Sequence, residues 1–388
     1  MSGKPSKGGM ADSPAAQHRS LGRLPDPLQQ VDGTWVLHRG RKLTYFGGCD
    51  YLRLACHAAV RAAATTAMAQ FGLNVAASRL TTGNHRLYIQ LEDRLASFFG
   101  AEQAVLVPTG YVGNLMAIQA LGNGVTHAIL DEQSHPSLVD AARNLGCPAI
   151  AFKHLDPSSL ARALKRLGPA CRTILLTDGV FARDGAIAPL ADYLRYLPAR
   201  SLVILDDAHG AGILGAHGRG TLEYLGLPRR NVVQTVTLSK AFGAYGGAIL
   251  TSRDHARQIV ARSGAFAGST PVPLPLAGAA LVAIDLVEAE PARRQRLLKN
   301  AATIKEALRT QGIEIPDNPS PIISITPSTR AGTERLKRRL EARDIFPSLI
   351  RYPGGPAGAY FRFAISSEHT PTQLGLLIDA LVFRTTSR

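Results

Sequence analysis

A lysine set between small residues is the first candidate for chemistry. Lys240 lies in the segment Thr237–Gly243, which follows an apolar run and precedes a pair of glycines. Most lysines are solvated surface residues, and a surface lysine needs no such setting. A lysine amine can form a Schiff base with a carbonyl compound, and the hydroxyls of Thr237 and Ser239 could help hold a phosphate. The segment therefore predicts an anchored carbonyl cofactor.

A carboxylate and an imidazole form the second candidate. Asp206 ends an apolar run, and His209 follows three residues later. A carboxylate at the end of a buried strand can bond a protonated pyridine nitrogen, which makes the ring of pyridoxal 5'-phosphate (PLP) a better electron sink. His209 can reach the phenolic oxygen of such a ring. The other interpretation is a metal site, but no further ligand lies at close spacing, and we predict no metal.

Two further segments suit the same cofactor. Thr109, Gly110 and Tyr111 lie where a predicted strand passes into a helix. Backbone amides at a helix N-terminus bind phosphate, and glycine permits a close approach. His135 follows another strand end, where a flat imidazole could stack on a planar ring, although a lone histidine is more often structural. Taken together, the four segments predict a PLP enzyme.

Alternating apolar and amphipathic stretches must position these residues. The predicted strands are Gln103–Pro108, Thr126–Asp131, Thr173–Asp178, Leu202–Asp207, Val232–Leu238 and Gly247–Thr251. The predicted helices between them are Tyr111–Leu121, Pro136–Asn144, Pro157–Leu167 and Pro189–Leu197. This alternation favours an α/β fold whose mostly parallel sheet is covered on both faces. The polar strand ends Asp131, Asp178 and Asp206 then mark the ligand-binding edge, although each one alone is also a good helix N-cap.

The C-terminal part changes character and predicts a smaller α+β domain. A helical pattern runs over Leu276–Arg309 with a break at Pro291, followed by strands at Ile322–Ile325 and Tyr360–Ile365 and a helix over Pro371–Phe383. We divide the chain into a disordered tail (1–25), an N-terminal segment (26–55), a large cofactor-binding domain (56–285) and a small domain (286–388).

Composition limits the classes of protein that the sequence fits. Its 388 residues are 45% hydrophobic and 19% charged, with no uninterrupted apolar run long enough for a membrane span. The N-terminus lacks the apolar core of a secretory signal, so we interpret it as a disordered tail. A transit peptide is the weaker interpretation. Four scattered cysteines fit a reducing cytoplasm.

The net charge of +15 favours anionic partners. Basic residues are densest at Arg335 and Lys337–Arg339. A solvated helix face is the simpler interpretation of this cluster, and an attractor for the phosphates of coenzyme A or for an acidic carrier protein is the sharper one. No nucleic-acid motif accompanies the charge.

The four segments, in this order, resemble the α-oxoamine synthase family of fold-type-I PLP enzymes. Further matching segments are Phe46–Leu52, Ser78–His85, Gly179–Phe181 with Asp184 and Gly185, Asp206–Gly210 with Gly218–Gly220, Arg362, and Glu368–Pro371. The resemblance covers residues 30 to 385 and implies a seven-stranded, mostly parallel sheet between helices. It also implies a homodimer whose active site is shared between subunits.

The resemblance implies a role for each candidate residue. Lys240 would hold PLP as a Schiff base, Asp206 would pair with the ring nitrogen, His209 with the ring oxygen, and His135 would stack on the ring. The further cofactor-binding residues are Thr109, Gly110, Tyr111, Asp178, Thr237, Ser239 and, from the second subunit, Thr270. The substrate-binding residues are Arg362, which would bind the substrate carboxylate, Ser78 and Arg23. The catalytic set is Lys240, His135, Asp206 and His209.

The implied reaction is the decarboxylative condensation of a small amino acid with an acyl thioester, carried by coenzyme A or a carrier protein. Within the family the chain is most similar to the 8-amino-7-oxononanoate synthases, with glycine C-acetyltransferase and serine palmitoyltransferase as alternatives. An aminotransferase on the same fold and a non-catalytic subunit are further alternatives. Two positions depart from the family pattern: Ala182 replaces a serine that bonds the ring oxygen, and Arg53 replaces a glycine, with a changed substrate entrance as one expectation.

Overall fold

The computed structural model describes residues 25–351 and 359–382. The described chain begins with a three-stranded antiparallel sheet formed by β1 (Gln29–Asp32), β2 (Trp35–His38) and β3 (Arg41–Thr44). Within the described ranges, no helix has both the length and the apolar character needed to cross a bilayer.

The central sheet has seven strands in the order β4-β10-β9-β8-β7-β5-β6. These strands are β4 (Gln103–Val107), β5 (His127–Asp131), β6 (Ala149–Phe152), β7 (Thr173–Asp178), β8 (Leu202–Asp206), β9 (Val232–Thr237) and β10 (Gly247–Thr251). Strand β10 pairs antiparallel with both of its neighbours, and the other pairs are parallel. The predicted fold, a mostly parallel seven-stranded sheet, is confirmed. All six strands named from the pattern are present within a residue or two, and β6 is the one that the pattern missed.

Helices cover both faces of this sheet. They are α1 (Ala58–Phe71), α2 (Arg86–Phe99), α3 (Gly110–Leu121), α4 (Pro136–Arg143), α5 (Pro157–Leu167), α6 (Leu190–Tyr196), α7 (Thr221–Tyr224), α8 (Arg253–Arg262) and α9 (Gly264–Gly268). Strands β7 and β9 are buried along their whole length, as expected for strands that are covered on both faces. Apolar clusters lie on the two sides of the sheet and fix the position of its carboxyl edge.

The C-terminal part builds a second, smaller layer. Helix α10 (Leu274–Ala289) ends just before α11 (Pro291–Thr310), so the predicted break at Pro291 is present. A three-stranded sheet follows, with β13 (Tyr360–Ala364) between β11 (Ile322–Ile325) and β12 (Leu349–Ile350). Helices α12 (Arg330–Glu341) and α13 (Pro371–Leu381) pack on it. The predicted boundary after residue 285 falls inside α10, and the division into domains stays a prediction.

Candidate active site

Lys240 lies in the short connection between β9 and β10, at the carboxyl edge of the sheet. Its Nζ is 3.0 Å from Nε2 of His209. Burial lowers the pKa of the Lys240 amine, against the opposing influence of the Cys49 thiol and the Asp206 carboxylate. A lowered pKa increases the fraction of free amine, which is the form that attacks carbonyl groups.

His209 is buried and contacts two functional groups. Its Nδ1 lies 2.7 Å from the hydroxyl of Tyr51, opposite the contact with Lys240. Burial lowers the pKa of His209 well below its usual value, and the neighbouring cations Lys240 and Arg362 lower it further. The imidazole is therefore neutral, and it can accept a hydrogen bond on one nitrogen while donating on the other.

Asp206 ends β8 and is held by three donors. Its Oδ2 accepts from Asn114 at 2.7 Å and from the hydroxyl of Ser137 at 3.3 Å, and its Oδ1 accepts from the amide of Ala208 at 3.1 Å. Asp178 lies beside it in register on β7. Burial and the Asp206 charge raise the pKa of Asp178 well above its usual value.

His135 precedes α4 and faces the same edge. Its backbone amide donates to Asp178 Oδ2 at 2.9 Å, and its Nδ1 lies 2.7 Å from the Ser137 hydroxyl. The ring of Tyr111 meets the His135 ring edge-on, with 6.1 Å between centroids. Burial lowers the pKa of His135, so the flat ring is presented uncharged.

The start of α3 forms a tight cradle. The Thr109 hydroxyl accepts from the amide of Val112 at 3.2 Å, whereas the first amides of a helix have no acceptor within it. A Cβ added to Gly110 would lie 3.0 Å from Cβ of Thr237, so only glycine fits there without displacement. Thr237 and Ser239 share a hydroxyl contact of 2.8 Å. Hydroxyls and free amides therefore converge on one point, as a phosphate requires.

Arg362 reaches the site from β13 of the small layer. Its guanidinium donates to the carbonyl of Ala182 at 3.2 Å and to the sulfur of Cys49 at 3.1 Å. The side chain is close enough to lower the pKa values of Lys240 and His209. A fixed cation therefore faces the amine across the site, where it can bind a substrate carboxylate.

Comparison with known proteins agrees with this geometry. Residues 42–381 match the family model described as aminotransferase class I and II. An 8-amino-7-oxononanoate synthase of Thioalkalivibrio sulfidiphilus is 34% identical over 92% of this chain and 90% of its own length. The same-named enzyme of Methylococcus capsulatus is 35% identical over 91% of this chain and 92% of its own. The chain belongs to the α-oxoamine synthase family.

Two solved structures are also similar to this chain in fold. Serine palmitoyltransferase of Sphingomonas wittichii superposes with a TM-score of 0.87 at 26% identity, over 95% of each chain. The 8-amino-7-oxononanoate synthase of Francisella tularensis superposes with a TM-score of 0.77 over 88% of this chain and 97% of its own, at 24% identity. The chain is therefore a PLP-dependent acyltransferase of the fold-type-I class.

The site of this α-oxoamine synthase fits PLP. The cradle at Gly110 suits the phosphate, Asp206 presents buried carboxylate oxygens, and the Lys240 amine is free to form a covalent bond. Among the described residues, no group of three or more histidine, cysteine, aspartate or glutamate side chains could hold a metal ion.

Two of the residues named from the sequence lie apart from this cluster within one chain. Thr270 and Ser78 line a separate cavity of 400 Å³ together with Asn74, and the Ser78 hydroxyl donates to the carbonyl of Ala267 at 2.7 Å. Arg23 lies outside the described residues. The roles of all three stay predictions, and that of Thr270 was predicted for the second subunit.

Sequence reasoning missed three side chains that organise the site. Tyr51 belongs to a segment that was matched to the family without a role for its hydroxyl. Asn114 is fully buried in α3 and bonds both Asp206 and, at 2.7 Å, the hydroxyl of Thr235. Its signal was an amide among the mostly apolar residues of that helix. Ser137 gave no such signal, because a serine near a helix start is ordinary.

The two departures from the family pattern differ in their surroundings. Ala182 carries no side-chain hydroxyl, but its carbonyl accepts from Arg362. Arg53 is buried in the left-handed region at φ 54°, where glycine is favoured. Its guanidinium donates to the carbonyl of Tyr45 at 3.3 Å, and its side chain packs over Gly33. Arg53 therefore points toward the N-terminal sheet, and the expected change of the substrate entrance has no support in these contacts.

Proposed function

We propose that this enzyme condenses an amino acid with an acyl thioester and releases carbon dioxide and a free thiol, most like the 8-amino-7-oxononanoate synthases. The observation that carries the proposal is the placement of a buried, easily deprotonated amine opposite a fixed guanidinium. Lys240 and Arg362 provide these two groups, and burial together with the Arg362 charge lowers the pKa of the Lys240 amine. An amino acid presents the complementary pair, an α-carbon that must lose a proton and a carboxylate that must be held.

The chain's own residues divide the work. Arg362 binds the substrate carboxylate and so fixes the orientation of the α-carbon, while His135 covers one face of the bound ring. PLP, when bound, supplies the electron sink for the α-carbon. Lys240 removes the α-proton as a general base, and the neutral His209 beside it can accept or return a proton at Nε2. The α-carbon then bonds the acyl carbon and the carbon–sulfur bond breaks, so that a thiolate leaves and takes a proton from water. The carboxylate departs as carbon dioxide, and Lys240 returns its proton to the α-carbon.

The name of the relatives suggests the substrates. In 8-amino-7-oxononanoate, the bond that such a condensation forms joins carbons 7 and 8. Carbons 8 and 9 with the amine are alanine without its carboxylate, and carbons 1 to 7 are an acyl chain with a terminal carboxylate. We therefore propose L-alanine and a seven-carbon ω-carboxyacyl thioester as the first pair to test, with glycine and L-serine as the competing amino acids.

We also propose a homodimer in the cytoplasm. Thr270 would complete the partner's cofactor site, because its cavity within one chain excludes Lys240. The four cysteines are unpaired, which suits a reducing compartment. Sedimentation of the holoenzyme should give the mass of a dimer. The Thr270→Ala variant should bind PLP more weakly than wild type and should remain a dimer.

Thiol release tests the function directly. Purified holoenzyme is mixed with each of the three amino acids and with coenzyme A thioesters of ω-carboxylated and plain acyl chains, and free thiol is measured. We expect release that depends on both substrates and is fastest with L-alanine and the ω-carboxyacyl chain. Release from no pair would contradict the proposal, and formation of pyridoxamine phosphate with a keto-acid product would favour an aminotransferase.

A further inference from the structure

A short hairpin joins the large sheet to the Arg362 side of the site. It spans residues 181–186, with the Phe181 amide donating to the Ala186 carbonyl at 2.8 Å and the Gly185 amide to the Phe181 carbonyl at 2.9 Å. Its Ala182 carbonyl accepts from Arg362. Any displacement of this hairpin therefore moves the Ala182 carbonyl to which the guanidinium donates.

The small layer holds the hairpin from one side. Asn318 donates to the Gly185 carbonyl at 3.0 Å, and the hydroxyl of Ser324 donates to the carbonyl of Arg183. Ser324 on β11 is the cross-strand partner of Arg362 on β13. The small layer thus contacts three backbone carbonyls of the hairpin, those of Ala182, Arg183 and Gly185.

One histidine holds the hairpin from the side of the large sheet. Nδ1 of His154 lies 2.8 Å from Asp131, which ends β5, and Nε2 lies 3.7 Å from Asp184 of the hairpin. The ring also meets Phe181 edge-on, with 4.5 Å between centroids. The His154 side chain is only 12% exposed and Asp131 is fully buried, so solvent screens this contact weakly. Asp184 is 30% exposed, so its contact with His154 is screened more.

We propose that His154 is a positioning residue for the amino-acid carboxylate: held between Asp131 and Asp184, it fixes the 181–186 hairpin and thereby the Ala182 carbonyl that orients Arg362. This inference rests on the proposed function, because it assigns the carboxylate to Arg362. His154 touches no reacting group itself, and its effect passes through the hairpin.

The charges around His154 support this role. Burial lowers the pKa of His154, but the hydrogen bond with Asp131 and the charges of Asp131 and Asp184 outweigh burial and raise it from 6.5 to about 9. The pKa of Asp184 is below its usual value, because contact with His154 outweighs its own burial. The imidazolium and the Asp184 carboxylate are therefore charged together at neutral pH.

Other titratable groups face His154, Asp131 and Asp184, and their contributions to any pH dependence must be distinguished from that of His154. Glu132 accepts from the His154 amide at 3.1 Å. The Asp131 charge contributes to the raised pKa of Tyr193 on α6. Lys305 on α11 senses Asp184, and burial lowers its pKa to about 8. A variant that lacks only the His154 charge isolates its contribution, because these three groups stay in place.

The test compares wild type with His154→Gln, and uses His217→Gln as the matched control. His217 also pairs with a carboxylate, Glu223 at 2.6 Å, but it is exposed and none of its contacts involves the hairpin. We expect His154→Gln to raise KM for L-alanine about tenfold, because small displacements of a binding group weaken catalysis strongly. KM for the acyl thioester should stay within about twofold of wild type. In His217→Gln, KM for L-alanine and KM for the acyl thioester should both stay within about twofold of wild type.

The pH dependence of KM for L-alanine distinguishes this proposal from a purely structural role of His154, which would leave that dependence unchanged. In wild type, KM for L-alanine should rise as pH passes through about 9, and the difference between wild type and His154→Gln should vanish above that pH. Asp184→Asn preserves the shape of the hairpin and should also raise KM for L-alanine. This second variant keeps the proposal testable if His154→Gln misfolds.

A second reading needs no cofactor. Because the folded pKa of His154 is raised, its stabilisation is complete below about pH 6.5 and is lost as pH rises through about 9. The melting temperature of cofactor-free wild type should therefore fall more over this interval than that of His154→Gln. Equal melting curves, or an unchanged KM for L-alanine in His154→Gln while wild type releases thiol, would overturn the role of His154. No thiol release by wild type would instead overturn the proposed function.

Discussion

His209 is buried and His154 is largely buried at the carboxyl edge of the same sheet, yet their pKa values shift in opposite directions. His209 lies among cations, and its pKa falls well below the usual value. His154 lies between two carboxylates, and its pKa rises to about 9. Burial disfavours the charged form in both, so the partners decide the outcome. The neutral imidazole contacts the reacting amine, and the charged one contacts a supporting hairpin.

The largest expected effect follows from removing the amine beside the neutral histidine. Lys240→Ala should lower thiol release at least about a thousandfold, because the general base and the covalent anchor are lost together. Borohydride reduction followed by mass analysis should trap PLP on wild type and leave Lys240→Ala unlabelled. Label on another lysine of Lys240→Ala would show that the anchor was assigned wrongly.

A smaller effect is expected where the neutral imidazole loses its second partner. Tyr51→Phe removes the hydroxyl that lies 2.7 Å from Nδ1 of His209 and leaves the ring in place. We expect kcat to fall about tenfold with KM for L-alanine nearly unchanged, because the orientation of the imidazole is disturbed while Arg362 is not. A change confined to KM for L-alanine would instead indicate that Tyr51 supports substrate binding, as proposed for His154, and not the orientation of His209.

The comparison itself can be measured by titration. With ¹³C-labelled histidine and variants for assignment, the ring signal of His154 should move between its charged and neutral positions near pH 9, and that of His209 should stay at the neutral position from pH 9 down to 6. In Lys240→Ala the pKa of His209 should rise, because one of the cations that lowers it is gone. A His209 signal that titrates near 6.5 in wild type would break the contrast.

The smallest effect concerns a third buried histidine and the unusual arginine near it. Burial and the Arg53 charge together lower the pKa of His369 to about 3. Arg53→Gly and Arg53→Ala both remove that charge, but only glycine suits φ 54°. We expect Arg53→Gly to be more stable than Arg53→Ala by about 1 kcal/mol in denaturant unfolding. Equal stability would mean that the backbone relaxes out of the left-handed region.

The sequence predicted the sheet and the cluster around Lys240 because both depend on local patterns. Apolar runs ending in Asp131, Asp178 and Asp206 identified three parallel strands and their common edge, and the structure has those strands. Strand β6 was missed because Ala149–Phe152 is short and its first three residues are not buried, so it lacks the continuous apolar run of the others.

The support of the site was harder to predict because it depends on long-range contacts. His154 meets Asp131 across 23 positions and Arg362 meets Ala182 across 180. Neither spacing has a periodicity that a sequence pattern could reveal. The pKa of a histidine is set by such neighbours, so the neutral state of His209 and the charged state of His154 became apparent only from the folded chain.

The contacts of Arg362 have a consequence for turnover. The proposed reaction expels the same carboxylate that the guanidinium binds, so the product leaves the chemical step without its strongest electrostatic attachment. Ala182 and Cys49 continue to hold the guanidinium. The amino ketone should therefore dissociate faster than the amino acid, and the vacated arginine is already oriented to capture the next substrate.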